Sequence, residues 1–310
     1  MTAPAVSARG LRFSYDWQPV LDGIELQVQP GEIYGIAGAD GAGKSTLLRI
    51  LIGQLPGATG ELEVLGRPVG DATTREAIAY MPQTFGQYAD LSVQENLHFF
   101  AALHGRTGKD ARALIADLLA RAGLRGFEDR RAGQLSGGMM QKLALACALV
   151  SRPRAMFLDE PTTGVDPLSR RAFWQLLEGV RGEGVAILYA TANMEEAERC
   201  DRVATLEHGR LVRQGRPQDL VAAAGASLYV LSGDAARDSV RALLQQPEVD
   251  LAFPVGRRVK VWLKPAANDA AWRAALAQIA PHLATERATP GLHDIVLREL
   301  ALAQRSRRHG

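Results

Sequence analysis

Gly38-Ala39-Asp40-Gly41-Ala42-Gly43-Lys44-Ser45-Thr46 decides how the rest of this chain is read. The stretch fits the phosphate-binding loop pattern G-x-x-x-x-G-K-[ST]. Glycines carry no side chain, so successive backbone N–H groups can curl around a phosphate. Lys44 then reaches the outer phosphates, and the Ser45 hydroxyl takes a place on Mg²⁺. A bare match to this pattern also arises by chance, so the flanks matter. Residues 31–37 read as a buried strand running into the loop. Residues 46–52 read as the helix leaving it, whose N-terminus favours an anion. Strand, loop and helix together predict nucleotide binding in an α/β fold.

The chain has 310 residues, enough for a full core and, by length, two domains. A net charge of +2 gives no electrostatic footprint for nucleic acid, and no nucleic-acid partner is expected. Cys147 and Cys200 lie far apart with no C-x-x-C spacing, which argues against a disulfide framework or a zinc site and fits a reducing cytosol. The six histidines are scattered. Met1-Thr2-Ala3-Pro4 does not read as the start of a signal peptide. The apolar runs around 143–150 and 220–231 are too short or too interrupted to cross a bilayer, which takes about 20 residues. Arg305-Ser306-Arg307-Arg308 reads as a solvated basic tail, with contact to anionic lipid as the lesser reading.

Strands with glycine and proline punctuation are predicted at 6–15, 24–28, 60–64 and 78–81. From Thr84 onward the pattern turns helical. Ser92-Val93-Gln94-Glu95 is a capping-box signature ahead of a helix over 96–104. Leu114, Ile115, Leu118 and Leu119 mark a second helix over 110–122. The continuous apolar runs 155–158 and 185–189 suit parallel strands covered on both faces, with a helix over 169–181 between them. A nucleotide-binding domain is expected over 1–220, with a helical subdomain at about 84–150. A second, accessory α+β domain is expected over 227–310. It reads as strand 228–231, helix 235–246, strands 251–255 and 259–263, helix 270–280, a short strand near Thr285 and helix 292–304, in the order of a split βαβ sandwich. It carries no catalytic constellation and reads as a docking or dimerisation module.

Leu135-Ser136-Gly137-Gly138-Met139-Met140-Gln141 is the second strong motif. The serine and glycine pair open a helix read as amphipathic over 139–150, whose terminus also suits an anion. One chain then holds two phosphate-seeking sites, which a head-to-tail pair of such domains would bring together. Further on, Met156-Phe157-Leu158-Asp159-Glu160-Pro161-Thr162 ends an apolar run in two carboxylates. They fall at the carboxyl edge of a strand, where α/β sheets place ligands. Asp159 is positioned to hold Mg²⁺, through water or directly, and Glu160 to polarise an attacking water.

In the order and spacing of these motifs, residues 6–220 resemble the nucleotide-binding subunits of ATP-binding-cassette (ABC) transporters. The resemblance implies a P-loop ABC ATPase fold: a RecA-like core, an antiparallel β subdomain and a helical subdomain. It implies ATP and Mg²⁺ as ligands. It assigns the P-loop to Gly38–Thr46, the signature motif to Leu135–Gln141, the Walker B aspartate to Asp159 and the catalytic glutamate to Glu160. Gln83, in Tyr80-Met81-Pro82-Gln83, matches the Q-loop glutamine that senses the γ-phosphate and Mg²⁺. Gly164-Val165-Asp166 matches the D-loop that crosses to the other subunit, and Tyr15 the aromatic that stacks on adenine. Catalysis is thereby expected of Glu160, Lys44 and Gln83. Two ATP molecules would be sandwiched between paired subunits, whose closing and opening drive a separate membrane permease from the cytoplasmic face.

The chain departs from this pattern at the histidine that usually ends the strand after the D-loop: that position is Ala192, and Asn193 is turned away from it. Losing one positioned transition-state hydrogen bond costs about 10²–10³ in rate. Two arrangements follow: pairing with a different ATPase subunit that supplies an intact site, which is favoured, or a homodimer with two slow sites. A smaller departure is Ala39-Asp40, where Pro-Asn is common. Residues 84–91 are the expected docking surface for the permease. The ending Pro290-Gly291-Leu292-His293-Asp294-Ile295-Val296-Leu297, with Ala197-Glu198-Arg199-Cys200-Asp201-Arg202, resembles exporter subunits of the ABC-2 type, which implies drug, lipid or polysaccharide export, with multidrug export favoured. The competing classes are a regulatory pseudo-ATPase, which Ala192 keeps open, and a soluble ABC ATPase of translation or repair. The single cassette and the short interval between P-loop and signature disfavour the soluble class.

Overall fold

The computed structural model describes residues 3–308 except 85, 224, 235 and 266; the side chains of 299, 300 and 303–308 lie outside the description, and with them the basic tail at 305–308. Contacts divide the chain into two units, residues 1–215 and 216–310.

The first unit opens with a long antiparallel hairpin, β1 (Val6–Tyr15) and β2 (Gln18–Val28). β2 starts well before the 24–28 strand expected, because irregularities in the ladder absorb the glycine and proline that punctuate the sequence. β3 (Ile33–Ala37) follows, then α1 (Lys44–Leu51), β4 (Thr59–Val64), β5 (Arg67–Pro68), the single turn α2 (Ala72–Arg75) and β6 (Ile78–Met81). α3 (Val93–Leu103), α4 (Gly108–Arg121) and α5 (Gly137–Leu149) form the helical part, and the capping box closes as read, Ser92 with Glu95. β7 (Ala155–Asp159), α6 (Pro167–Gly182), β8 (Ala186–Thr191), α7 (Met194–Ala197), β9 (Arg202–Glu207) and β10 (Arg210–Gly215) complete it.

Six strands make the central sheet in the order β10-β9-β3-β8-β7-β6, parallel except for β10. Its inner strands β3, β7 and β8 are buried at every position because both faces are covered, whereas the edge strand β10 alternates exposed and half-buried residues. Met156, Leu158, Ile187 and Tyr189 face a core shared with α3–α6, while Phe157, Ala186, Leu188 and Ala190 face a core shared with β1, β2 and α1. A second sheet, β2-β1-β4-β5, is antiparallel. α5 is not amphipathic as expected. Leu143, Leu145, Ala146, Cys147 and Leu149 leave no polar stripe among its buried residues, since α3, α4, α6 and β6 surround it. Both cysteines are free and buried, and burial pushes each thiol up.

The second unit contains α8 (Pro217–Ala223), β11 (Leu228–Ser232), α9 (Val240–Leu243), β12 (Val249–Val255), β13 (Arg258–Leu263), α10 (Asp269–Ile279), β14 (Ala284–Ala288) and α11 (Leu292–Arg308). Its antiparallel sheet runs β12-β13-β11-β14, the strand order of a split βαβ sandwich. The expected helix over 235–246 shrinks to α9. Bonds such as Val240 N to Arg237 O and Gln245 N to Ala242 O span three residues rather than four, so turns flank a single helical turn. The Pro290–Leu297 stretch is structural: Leu292 and Ile295 are buried, and Asp294 accepts from Gly291 N at 3.1 Å and pairs with Lys260. No helix among the described residues is long and apolar enough to cross a membrane.

Candidate functional site

The loop between β3 and α1 crosses the carboxyl edge of the parallel sheet. Gly43 takes φ +107°, and a Cβ there would stand 2.9 Å from Leu21 Cδ2, so only glycine fits the last step into the helix. Lys44 follows and is 4% exposed. Its ammonium has three donors, and three acceptors meet them: Gly38 O at 2.9 Å, Ala39 O at 3.1 Å and Glu160 Oε1 at 2.9 Å. The Asp40 carboxylate stands 3.9 Å away, its side chain 92% exposed. Lys44, the first residue of α1, thus ties the start of the loop at Gly38 and Ala39 to its end.

β7 delivers the carboxylates. Asp159 is buried, accepting from Ser45 Oγ at 3.0 Å on one oxygen and from the Tyr80 hydroxyl at 3.3 Å on the other. Burial pushes its carboxyl up; the bonds from Ser45 and Tyr80 pull it back, and the Glu160 charge adds to the rise. Burial likewise raises the Tyr80 phenol, and a hydrogen bond with Tyr80 raises the Arg49 guanidinium. Tyr80 was not singled out in the sequence; its place on β6, three residues before Gln83, was the available signal.

Glu160 has φ +47°, a left-handed conformation rare for a residue with a side chain and concentrated at functional sites. Its N–H donates to Ala190 O at 2.9 Å, which holds that conformation against β8. Glu160 Oε2 accepts from Thr163 Oγ1 at 3.2 Å and from Gln83 Nε2 at 3.4 Å. The structure therefore gathers these side chains into two bonded groups, Ser45 with Asp159 and Lys44 with Glu160 and Gln83, set side by side because Lys44–Ser45 and Asp159–Glu160 are chain neighbours.

The remaining predicted residues stand outside these bonded groups. Tyr15, at the end of β1, is 43% exposed and meets Phe13 edge-on at 4.9 Å, leaving ring surface open to solvent. Ser136 caps α5 by accepting from Met139 N at 3.3 Å, and Ser136 and Gly137 are exposed. Gly138 is buried where α5 meets α6, with no room for a side chain: a Cβ would fall 2.3 Å from Ser169. Among the described residues no hydrogen bond joins Ser136–Gly138 to the Lys44 cluster. Ala192 is exposed between β8 and α7, and Asn193 spends its side chain capping α7 by accepting from Glu195 N at 2.9 Å.

Ser45 and Asp159 bring two oxygen ligands together, a donor set that suits Mg²⁺, which is bound through one or two carboxylates plus substrate phosphates. No group of three or more His, Cys, Asp or Glu side chains that could hold a metal occurs among the described residues, so an all-protein cage is not what this site offers.

Strand, glycine loop, lysine and paired carboxylates define a P-loop nucleotide-binding fold. Comparison narrows the class. The family profile described as ABC transporter matches residues 21–163. The chain is 39% identical over 274 residues to the probable multidrug ABC transporter ATP-binding protein YbhF of Escherichia coli, covering 86% of this chain and 47% of that one. It thus spans about half the length of that relative. It is 40% identical over 226 residues to the Nod factor export ATP-binding protein I of Burkholderia pseudomallei, covering 72% and 74%. Among solved structures, cbiO1 of Clostridium perfringens, part of the ABC transporter complex cbiONQ, superposes with a TM-score of 0.66 at 28% identity, covering 71% and 92%. An ATP-binding subunit of an ABC transporter gives 0.65 at 29%, covering 71% and 93%. The chain belongs to the ABC transporter family of ATP-binding proteins, with the ABC ATPase fold and an added C-terminal antiparallel sheet.

Proposed function

We propose that this chain is the ATP-hydrolysing subunit of an exporter, working on a separate membrane permease. The observation that carries the reading is the pair of bonded groups at the sheet's carboxyl edge, Lys44 with Glu160 and Gln83 beside Ser45 with Asp159. The P-loop backbone and Lys44 take the nucleotide phosphates, and Tyr15 offers its ring to the base. Ser45, Asp159 and Gln83 are the residues that would hold Mg²⁺, which supplies charge neutralisation at the phosphates when bound. Glu160 orients the attacking water. When phosphate takes Lys44, the Glu160 carboxylate is released from its ion pair and is free to accept a proton from that water. Ser136 and Gly137 are exposed at the start of α5, with Gly138 buried beneath them, and the three fit the nucleotide of a second ATPase subunit, the same chain or a different one.

The relatives' names, multidrug and Nod factor export, support export as the direction and a drug-like or lipid-like substrate class, with multidrug export as our reading. The permease would dock near residues 84–91. Asn96 holds this segment from below, with its side chain bonded to Tyr88 N and O and to Leu91 O and Ser92 O. A groove of about 240 Å³ lined by Met81, Pro82, Thr84, Gln87, Phe100 and His104 adjoins it. The chain would then sit on the cytoplasmic face of the membrane. Phe85 lies outside the described residues.

The test is phosphate release by the full chain with Mg-ATP, compared with Glu160→Gln. Release that falls by roughly 10²-fold or more in the variant, with ATP still bound, supports an ATPase. Equal background rates would make it a regulatory ATP-binding protein. A second reading rests on Ala192, which presents no polar atom, while Asn193 is committed to a helix cap. The site is then slow on its own and is completed by, or subordinate to, a different partner subunit. A tagged pull-down from solubilised native membranes that yields a permease and a second ATPase supports it; two copies of this chain would contradict it.

A further inference from the structure

Behind the Lys44–Glu160 cluster lies a second buried polar group that the steps above do not use. Glu196, in α7, is 4% exposed. Its Oε1 accepts from the Thr162 hydroxyl and lies 3.4 Å from Arg170 Nε. Its Oε2 accepts from the Tyr189 hydroxyl at 3.0 Å and from the Thr191 hydroxyl at 2.9 Å. Three hydroxyls and a guanidinium suit a carboxylate that only accepts; an amide would turn a donor toward one of them. Burial, and after it the Glu196 charge, pushes the Tyr189 phenol well above its ordinary range, so Tyr189 stays a donor. Glu195 and Glu198 beside it are exposed, so this burial is particular to Glu196.

Each partner reaches a different part of the site. Thr162 follows Glu160 by one proline, and its neighbour Thr163 bonds the Glu160 carboxylate at 3.2 Å. Arg170 donates to Val165 O at 3.2 Å, inside the loop that matches the D-loop. Thr191 ends β8: its hydroxyl accepts from Asn193 N at 2.9 Å across Ala192, and its carbonyl accepts from Gly38 N at 3.2 Å. Taking a carboxylate out of water is costly, and well-packed apolar residues often stabilise a fold as well or better. A network this dense, joined to three functional segments, therefore points to geometry rather than to stability alone.

We infer that Glu196 is a positioning residue that fixes the Glu160 loop, the D-loop and the Ala192 turn as one unit. The inference rests on the ATPase reading. With only a methyl group at 192 and no polar side-chain atom to hold the turn against nucleotide, the turn's place depends on Thr191, and through Thr191 on Glu196.

The test uses the full chain and the variants Glu196→Gln, Thr162→Val, Thr162→Ser and the double E196Q/T162V. Steady-state phosphate release gives kcat and KM for Mg-ATP, and a thermal melt checks folding. We expect kcat to fall about 10- to 100-fold in E196Q and T162V with KM within about threefold, because misplacement of reacting groups by a fraction of an ångström costs rate before it costs binding. T162S keeps the hydroxyl and should return to within about threefold of the parent, and the double variant should be no slower than the slower single one. A folded E196Q with unchanged kcat, equal damage to KM, or multiplying losses would overturn the inference. If E196Q does not fold, T162V and T162S decide alone. If the parent itself does not hydrolyse ATP, the ATPase reading fails separately. Hydrogen exchange then decides: faster exchange in E196Q at both 160–166 and 191–197 supports the linkage, and a change in one segment or neither refutes it.

Discussion

Gly138→Ala tests whether the signature glycine is fixed by packing. An ideal Cβ at this position falls 2.3 Å from both Cβ and Oγ of Ser169, and 3.6 Å from Asp166 Oδ2. Cβ of Ser169 belongs to the first turn of α6 and cannot rotate away, so the start of α5 and the start of α6 must separate by about 1 Å to reach ordinary contact. Overpacking of that kind costs about 1–3 kcal/mol. In a unit of this size that lowers Tm by roughly 3–9 °C. Ser169→Gly removes both clashing atoms at a cost of about 0.5 kcal/mol in helix propensity. The pair G138A/S169G should therefore be more stable than the sum of the singles predicts, with a coupling above about 1 kcal/mol. Denaturant unfolding followed by circular dichroism reads all four proteins. A G138A chain as stable as its parent, or a serine change that rescues nothing, would refute the packing account and leave the glycine to nucleotide contact alone.

Asp159→Asn should raise Tm at neutral pH while abolishing Mg-dependent ATP turnover. Burial raises the Asp159 carboxyl in the folded chain, so stability is lost as the pH climbs from the ordinary carboxylate range to that raised value, and the loss is complete above it. The gain should shrink as the pH is lowered and the parent's Asp159 takes a proton, which melts across a pH series would show. Ala192→His should increase kcat by about 10-fold or more if the turn presents that side chain to the γ-phosphate. An unchanged rate in a folded A192H would place the limiting step elsewhere, and stopped-flow phosphate release would read it.

The P-loop, both carboxylates and the order of elements were legible because each is a local pattern. Lys44 and Ser45 belong to a loop motif of fixed spacing, and Asp159 and Glu160 end a continuous apolar run, so each could be placed at a strand or helix end from its neighbours alone. The C-terminal strand order followed from the alternation of strands and helices. What was not legible depends on contacts far apart in sequence. α5 reads as amphipathic because Gln141 and Lys142 interrupt it, yet Gln141 is buried by the helices around it. The run 235–246 has helical composition, but i→i+3 bonds on either side limit it to one turn. Glu196 stands in an acidic run in which nothing local says which carboxylate turns inward; its hydroxyl partners come from 162, 189 and 191. Tyr80 is a strand residue like any other until Asp159 is placed beside it.

The two packing features meet in α6. Gly138 lets α5 lie against Ser169, and Ser169 N–H is the group that Asp166 caps at 2.9 Å. One residue further, Arg170 binds Val165 O and stands against Glu196, which holds Thr162 beyond Glu160. A continuous chain of contacts therefore runs from Gly138 through residues 165–170 to Glu196 and Thr162, two residues beyond Glu160. Contiguity alone does not establish coupling. α5 cannot move closer to α6 at Gly138 without displacing Ser169, and the Asp166 cap moves with that serine. Nucleotide seated by a partner subunit at Ser136–Gly138 would press on this contact. The Glu160 loop would feel it through Arg170 and Glu196 rather than through the P-loop, with which the signature shares no hydrogen bond among the described residues.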